Sequence, residues 1–273
     1  MKKKVRKVEF SQKITIGHTV KQILGIGIVT FHELVREKIL WSTLLFAFLC
    51  VGLSYALSRL SFVENARIAL DFGLTAVSLI GGLLSIVMGA SLIAKEIENR
   101  TVYVVLSKAV WRWQFVVGRL LGLFTVLILN ATLMTLVLLL IFVISGGHLS
   151  SAIFKSLVLQ ITEFGVLASM ACIFSSFSTV SLAAIFASGV WVIGHAMEDL
   201  RAVTDKIEPV SLRPILHFIT FVLPDLTRFD VKVQVSHQLP ITWGYTNYTI
   251  FYGLAYMAFA ILTACTIFSR RDL

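Results

Sequence analysis

The chain alternates between long apolar runs and short polar segments. Six of the runs approach or exceed the roughly 20 residues that a helix needs to cross the hydrocarbon layer of a membrane. They are Ile39 to Leu57, Leu70 to Ala94, Leu120 to Ile144, Ile153 to Phe177, Val180 to Met197, and Ile250 to Phe268. The fourth and fifth runs are separated by a small polar turn at Ser178 and Thr179, which predicts a tight hairpin. The pattern predicts an all-α integral membrane protein with six transmembrane helices.

A different pattern precedes the first run. From Thr19 to Lys38, apolar and charged residues alternate at helical spacing, which predicts an amphipathic helix at the membrane interface. The apolar face of this helix holds Ile23, Ile26, Phe31, Leu34 and Val35. Residues 1–38 are therefore expected to form a tail and an interfacial helix, followed by the transmembrane domain over residues 39–273.

The segment 198–249 differs in composition from the rest, because all four prolines of the chain fall within it. Its apolar stretch LRPILHFITFVL is too short to cross a membrane, which predicts a re-entrant or interfacial helix in an extracytoplasmic loop. Aromatic residues then cluster where the last span begins. They are Trp243, Tyr245, Tyr248 and Tyr252. Two interpretations are open for this cluster: an aromatic anchor at the interface, or a surface that faces a substrate.

Composition agrees with a membrane protein, since 57% of the residues are hydrophobic and 14% are charged. The formal net charge of +9 is explained by topology. If the N-terminus is cytoplasmic, the inner segments hold 16 of the 24 Lys and Arg residues, so both termini are predicted to be cytoplasmic. The charge therefore does not indicate a nucleic-acid partner. The three cysteines lie far apart in apolar runs, without the spacing of a metal site.

The polar segment between the second and third spans is the main candidate for a binding function. No GxxxxGK[ST] loop is present, so the chain lacks that means of holding ATP. From Lys95 to Ser107 the sequence predicts a short helix with an apolar ridge and exposed charges, as expected of a docking element. The residues predicted to dock are Glu96, Ile97, Glu98, Arg100, Thr101, Val104, Val105 and Lys108.

These residues carry a resemblance to a known family. The run AKEIENRTVYVVLSKAVWRWQFVVGRLLG resembles the signature segment of type-2 ABC transporter permeases, which commonly reads E-x-E, T-[IVL], LS-[KR]-P-V, an aromatic residue and G-[KR]-x-x-G. The chain departs from this pattern at Ala109, where the family usually has proline. The segment PDLTRFDV and the ending FSRRDL also resemble the family, and the similarity extends along the whole chain.

The resemblance implies a permease subunit of the bacterial inner membrane, without an ATPase site or cofactor of its own. Such subunits dimerise, commonly as identical pairs, and two copies of a separate ABC ATPase dock on them. Residues 95–117 would be the coupling segment, with Glu96 to Leu106 as the coupling helix and Thr19 to Lys38 as the connecting helix. Because this family more often exports, export of a hydrophobic or amphipathic substrate is expected. The loop could meet an extracytoplasmic partner.

One acidic residue lies inside a predicted span. Glu163 follows Gln160 on the same face of the fourth span, and a charge in hydrocarbon is costly. Three interpretations are open: a role in translocation or in a proton-linked step, a structural hydrogen bond to Asn130, or a shorter span that places Glu163 near the outer interface. The first supports an alternative function, an ion-coupled secondary transporter that uses Glu163.

Small residues within the spans are expected to serve helix packing. Gly118 and Gly122 form a GxxxG pair at the start of the third span, which favours close contact with another helix. Gly89, Ala90 and Ser91 are explained in the same way. The other interpretation of Ser91 is a nucleophile paired with His195 in an intramembrane hydrolase, and it lacks the glycine that such a turn requires.

Overall fold

The computed structural model describes residues 16–36, 45–46, 48–49, 65–99, 111–147, 150–204 and 213–271. Within these ranges the protein is all-helical and has no strands. The α-helices are α1 (Ile16–Leu34), α2 (Asn65–Glu98), α3 (Arg112–Ile144), α4 (Ser151–Ser175), α5 (Val180–His195), α6 (Met197–Thr204), α7 (Arg213–Val222), α8 (Lys232–Ser236) and α9 (Trp243–Arg270), with a 3-10 helix over Leu226–Phe229.

Among the described residues, four helices are long and apolar enough to cross a membrane: α2, α3, α4 and α9. A fifth crossing results if α5 and α6 are counted as one broken span. The all-helical membrane fold predicted from the sequence is confirmed. The first predicted span, Ile39 to Leu57, lies largely outside the described residues, so the count of six stays a prediction.

Helix α4 lies at the centre of the bundle and contacts α2, α3, α5 and α9. In its most apolar stretch 72% of the residues are buried, against 17% in α9. Close approach to α2 depends on Gly89, where an added Cβ would lie 2.8 Å from the carbonyl oxygen of Ala168. Ser91 donates to the backbone of its own helix, at Met88. The packing explanation for this small-residue stretch is therefore confirmed.

Helix α1 packs across the first turns of α3 through the predicted glycine pair. A Cβ on Gly122 would lie 2.6 Å from the carbonyl oxygen of Gly27, and one on Gly118 would lie 2.8 Å from Ile26. The expected close contact at this GxxxG pair is confirmed. The flank of α1 beside this contact is also apolar, because Leu24 and Ile28 are exposed and line an open groove with Leu121 and Thr125 of α3. This apolar flank suits contact with lipid.

Helix α5 is short and ends in a sharp bend. Its 16 residues span about 24 Å, less than the roughly 30 Å of a hydrocarbon layer. After His195 the chain turns by 64° at Ala196 and continues as α6. The predicted fifth span, Val180 to Met197, is therefore a broken helix with its break near the C-terminal end of the run.

The loop after α6 contains a helix, α7, at the apolar stretch LRPILHFITFVL, as the sequence predicted. Helix α7 is ten residues long, or about 15 Å, which confirms that it is too short to cross a membrane. Phe218 and Phe221 of this helix are exposed. Its position relative to the membrane surface stays a prediction.

Candidate functional site

One end of the bundle is held by an ion cluster around Arg119. The Nη1 atom of Arg119 on α3 lies 2.6 Å from Oε2 of Glu33 on α1, and Nη2 contacts Oε1 of Glu96 on α2. Only 10% of the Arg119 side chain is exposed, so its charge is partly shielded from solvent. One cation thus joins the ends of three helices.

Other contacts bring the remaining segments to the same end. Arg112 donates to the carbonyl oxygens of Ser269 and Arg271 at 3.0 and 2.8 Å, which places a cation at the C-terminal end of α9. Arg271 in turn donates to the carbonyl of Ser176, in the turn between α4 and α5, at 2.9 Å. The described parts of the segments that the charge pattern assigns to the cytoplasm therefore lie together. Which side of the membrane they occupy stays a prediction.

The C-terminal end of α4 is bonded to the backbone of α2 close to this cluster. The Oγ atom of Ser175 donates to the carbonyl of Ala90 at 2.7 Å and accepts from the amides of Ile93 and Ala94 at 3.1 and 2.9 Å. All of these atoms are buried, where unpaired polar groups are costly. The last turns of α2, which lead into the charged segment, are thereby fixed to the central helix.

The predicted docking residues fall into two groups. Glu96, Ile97 and Glu98 form the last turn of α2, which continues without a break from the membrane span. The Glu96 carboxylate contacts Arg119 and its side chain is 13% exposed, whereas Glu98 is exposed. The other predicted residues are Arg100, Thr101, Val104, Val105 and Lys108, and they lie outside the described residues.

Arg119 was not among the predicted site residues, although the sequence contained a signal for it. It occupies the basic position of the G-[KR]-x-x-G part of the resemblance, directly after Gly118. Nothing in the linear pattern indicates that its partners are Glu33 and Glu96, because those residues lie on two other helices.

The opposite end of the bundle is held by a cluster around Asp225. Its buried carboxylate accepts from Arg201 at 2.7 Å, from Arg228 at 3.1 Å and from the Thr227 hydroxyl at 2.5 Å. The backbone amide of Asp225 donates to the Tyr252 hydroxyl of α9 at 2.8 Å. Burial alone raises the pKa of the Asp225 carboxyl, but the hydrogen bonds from Thr227, Arg228 and Arg201 outweigh it and hold the pKa below its ordinary value.

The aromatic cluster at the start of α9 binds this loop. The Tyr245 hydroxyl donates to the carbonyl of Arg228 at 2.7 Å, and the Arg228 guanidinium lies 5.0 Å from the centre of the Tyr252 ring. The Trp243 ring lies 4.6 Å from the ammonium group of Lys155 on α4. These contacts give the aromatic residues a role in positioning the loop. They leave both predicted roles, anchor belt and substrate surface, as predictions.

Glu163 is 1% exposed and lies inside the bundle, twelve residues or about 18 Å along α4 from Ser151. Its Oε1 atom lies 3.3 Å from Nε2 of His195, the last residue of α5. The structure thus gives Glu163 a contact with His195, whereas its hydrogen bond to Asn130, which is buried on α3, stays a prediction. Gln160 uses its side-chain NH₂ group to donate to the carbonyl of Leu74 on α2, at 3.3 Å.

Comparison with known families agrees with the resemblance. The sequence model of a family described as ABC-2 family transporter protein matches residues 26–273, which include both ion clusters and the Glu163–His195 contact. This chain belongs to the ABC-2 transporter family. No curated protein matches the chain. Membership implies a multi-pass membrane subunit of a transporter that works with an ABC ATPase, and such subunits usually have no ATPase site of their own.

Proposed function

We propose that this ABC-2 family chain is the permease subunit of a bacterial exporter. It works as one half of a homodimer in the inner membrane, with both termini in the cytoplasm. Two ATPase subunits dock on the end of the bundle that carries residues 95–119. The transported molecule is hydrophobic or amphipathic. Family membership supports the transport role, and the type-2 resemblance of the signature segment supports the direction and the docking.

The Arg119 cluster is the observation that supports this proposal most strongly. Glu96 precedes the segment 100–110 in the sequence and Arg119 follows it. Their contact therefore holds together the two helices that this segment connects. Glu33 adds helix α1 to the same cation. A partner that pushed on the segment would therefore move α1, α2 and α3 together, as the transfer of force from an ATPase requires.

The structure also changes which residues should be tested for docking. Replacing Glu96 would break the ion cluster, so a loss of ATPase binding in that variant would not identify a contact residue. Glu98 is exposed, and its Oε1 atom accepts a long hydrogen bond from the amide of Val180 at 3.4 Å. Glu98 and Arg100 are therefore the charged pair of choice, because both are predicted docking residues and Glu98 is not one of the two carboxylates that contact Arg119.

The docking experiment compares two double variants that each lose one acidic and one basic side chain. Glu98→Ala with Arg100→Ala is expected to lower retention of the cognate ATPase on the purified permease about tenfold, equivalent to about 1.4 kcal/mol. Glu198→Ala with Lys206→Ala, in the loop predicted to lie on the opposite side, is expected to retain it fully. Unchanged retention and unchanged transport in the first variant would contradict the docking proposal.

Orientation is tested by labelling single cysteines in a chain whose Cys50, Cys172 and Cys265 are replaced by serine. A membrane-impermeant maleimide applied to intact cells is expected to label Asp199→Cys. Glu98→Cys is expected to react only after the cells are permeabilised. Labelling of Glu98→Cys from outside would place the docking end on the wrong side.

The alternative, an ion-coupled secondary transporter, predicts transport by the permease alone. Vesicles reconstituted with the permease and a proton gradient, but without ATPase or ATP, separate the two functions. We expect no substrate movement there, and movement after ATP is added to vesicles that also contain the ATPase. Transport by the permease alone would favour the secondary transporter.

A further inference from the structure

The contact between Glu163 and His195 lies at the point where α5 ends and the chain bends into α6. The Glu163 carboxyl group is buried in the central helix, and its Oε1 atom faces Nε2 of the imidazole at 3.3 Å. Among the residues that the structure describes, Oε1 is buried without a hydrogen bond, so the imidazole at 3.3 Å is the polar group that it faces.

The other ring nitrogen of His195 determines how many protons the pair must hold. Nδ1 lies 3.1 Å from the carbonyl oxygen of Trp191. Because a carbonyl only accepts, Nδ1 must carry a hydrogen and donate it. Nε2 of a neutral imidazole is then an acceptor, and it faces a carboxylate oxygen, which is also an acceptor. The two atoms attract each other only when a proton lies between them.

We propose that Glu163 and His195 form a proton-binding site that joins the central helix α4 to the bend between α5 and α6. The bound proton lies on the line between Oε1 and Nε2, either as imidazolium beside carboxylate or as carboxylic acid beside imidazole. When the proton leaves, two lone pairs face each other and the contact opens.

A polar stripe on α4 leads towards this site. Ser156, Gln160 and Glu163 are spaced four and three residues apart, so they lie on one face of the helix. Ser156 Oγ and Gln160 Oε1 are buried and, within the described residues, have no hydrogen-bond partner. Buried polar atoms usually form hydrogen bonds with protein or with water. The stripe is therefore suited to hold water molecules that carry protons from the N-terminal end of α4 to Glu163.

Among the described residues, few charged groups surround the pair. Lys232 of α8 lies near the His195 ring, and its ammonium group pairs with Asp230 at 3.1 Å. Helix α6 brings Glu198 and Asp199, which are exposed on its first turn. The sequences of α2 between residues 72 and 94, of α5 before His195, and of α9 before Arg270 contain no Asp, Glu, Lys or Arg.

Opening of the Glu163–His195 contact is expected to affect the loop that surrounds Asp225. Residue Gly194, next to His195, packs so closely that an added Cβ would lie 2.7 Å from the Leu226 side chain and 3.0 Å from the carbonyl of Pro224. The bend is thus in contact with the loop on one side and with Glu163 on the other. The proton on the pair determines whether the central helix is also bonded to the bend.

Trp191 offers a direct optical test, because its ring meets the His195 ring edge-on with centroids 5.8 Å apart. Protonated imidazole quenches indole fluorescence more strongly than neutral imidazole does. The full-length permease in lipid nanodiscs, with its other four tryptophans replaced by phenylalanine, is titrated between about pH 4.5 and pH 9. Infrared difference spectra of the same samples follow the carboxylic acid band of Glu163, which reports the form with a neutral ring.

We expect one transition in fluorescence, in the acid band, or in both. His195→Asn is expected to abolish it, and Glu163→Gln is expected to abolish it or to move it by at least one pH unit. The control His237→Asn alters an exposed histidine that contacts Arg67, and it should leave the transition unchanged. Absence of any transition in the parent chain, or an unchanged transition in both variants of the pair, would overturn the proposal. Helical content and monodispersity are checked first, and the titration of the parent chain tests the proposal even if a variant fails to fold.

Discussion

The two ends of the bundle are held by ion clusters of opposite composition. At one end a single cation, Arg119, contacts two carboxylates, those of Glu33 and Glu96. At the other end a single carboxylate, that of Asp225, accepts from two cations, Arg201 and Arg228. Counted over these described residues, the first cluster carries an excess negative charge and the second an excess positive charge.

The clusters also differ in how far apart their members lie along the chain. The Arg119 cluster joins three helices, and its members are 23 and 86 residues apart from Arg119. The Asp225 cluster is more local, because Thr227 and Arg228 follow within three residues and Arg201 is 24 residues away. The first arrangement links three helices that are far apart in the sequence. The second suits a loop that is held in one shape against α9.

The largest effect is expected from Arg119→Met, which leaves two facing carboxylates without their cation. Removing one partner of a buried ion pair typically costs about 3–5 kcal/mol, and because Glu33 is 36% exposed the free energy of unfolding should fall by an amount at the lower end of that range. Chemical denaturation of the purified permease in detergent measures it. Glu33→Gln and Glu96→Gln added to Arg119→Met should restore most of the loss. If Arg119→Met alone were as stable as the parent, the cluster would contribute nothing to the free energy of unfolding.

A smaller loss is expected from Asp225→Asn, because Arg201 and Arg228 are partly exposed and can be hydrated once the carboxylate is gone. Loss of its charged hydrogen bonds should lower the free energy of unfolding by about 2–3 kcal/mol. The loop should also become more open to protease, whereas the Arg119 end should keep its resistance. Equal cleavage at both ends would contradict the view that the clusters act separately.

The Asp225 cluster should weaken in acid. The pKa of its carboxyl is lower in the folded protein than in the unfolded chain, so its contribution is present above the unfolded value, about 4, and is lost as the pH falls through the folded value. The difference in stability between the parent and Asp225→Asn should therefore be constant from pH 7 to pH 5 and should disappear in stronger acid. A difference that persisted unchanged to the lowest pH at which both fold would contradict the assignment.

The smallest effect concerns the approach of α1 to α3 beside the Arg119 cluster. Gly122→Ala places a methyl group against the carbonyl of Gly27 and should cost about 1–2 kcal/mol. Gly25→Ala is the matched control, because no atom lies within 4 Å of its added Cβ. It should be neutral or stabilising by up to about 1 kcal/mol, since alanine favours a helix. Thermal unfolding of the two variants side by side checks the sign of each change.

Much of the helical architecture followed from local pattern. A helix satisfies its own backbone hydrogen bonds in lipid, so long apolar runs predict spans without knowledge of their neighbours. The pair Gly118 and Gly122 predicted a close contact for a similar reason, since small residues at this spacing allow helices to approach. The identity of the partner, α1, did not follow, because any helix could occupy that surface.

The sequence by itself determined that this is a helical membrane protein, which residues mark the charged segment, and that an acidic residue, Glu163, lies within a predicted span. Only the tertiary structure decided that Arg119 bonds to Glu33 and Glu96, that Ser175 reaches the backbone of α2, and that Glu163 faces His195. The physical reason is that hydropathy and periodicity act over a few helical turns. Pairing between side chains tens of residues apart depends on how each helix is rotated and how deeply it packs, which the surrounding helices fix.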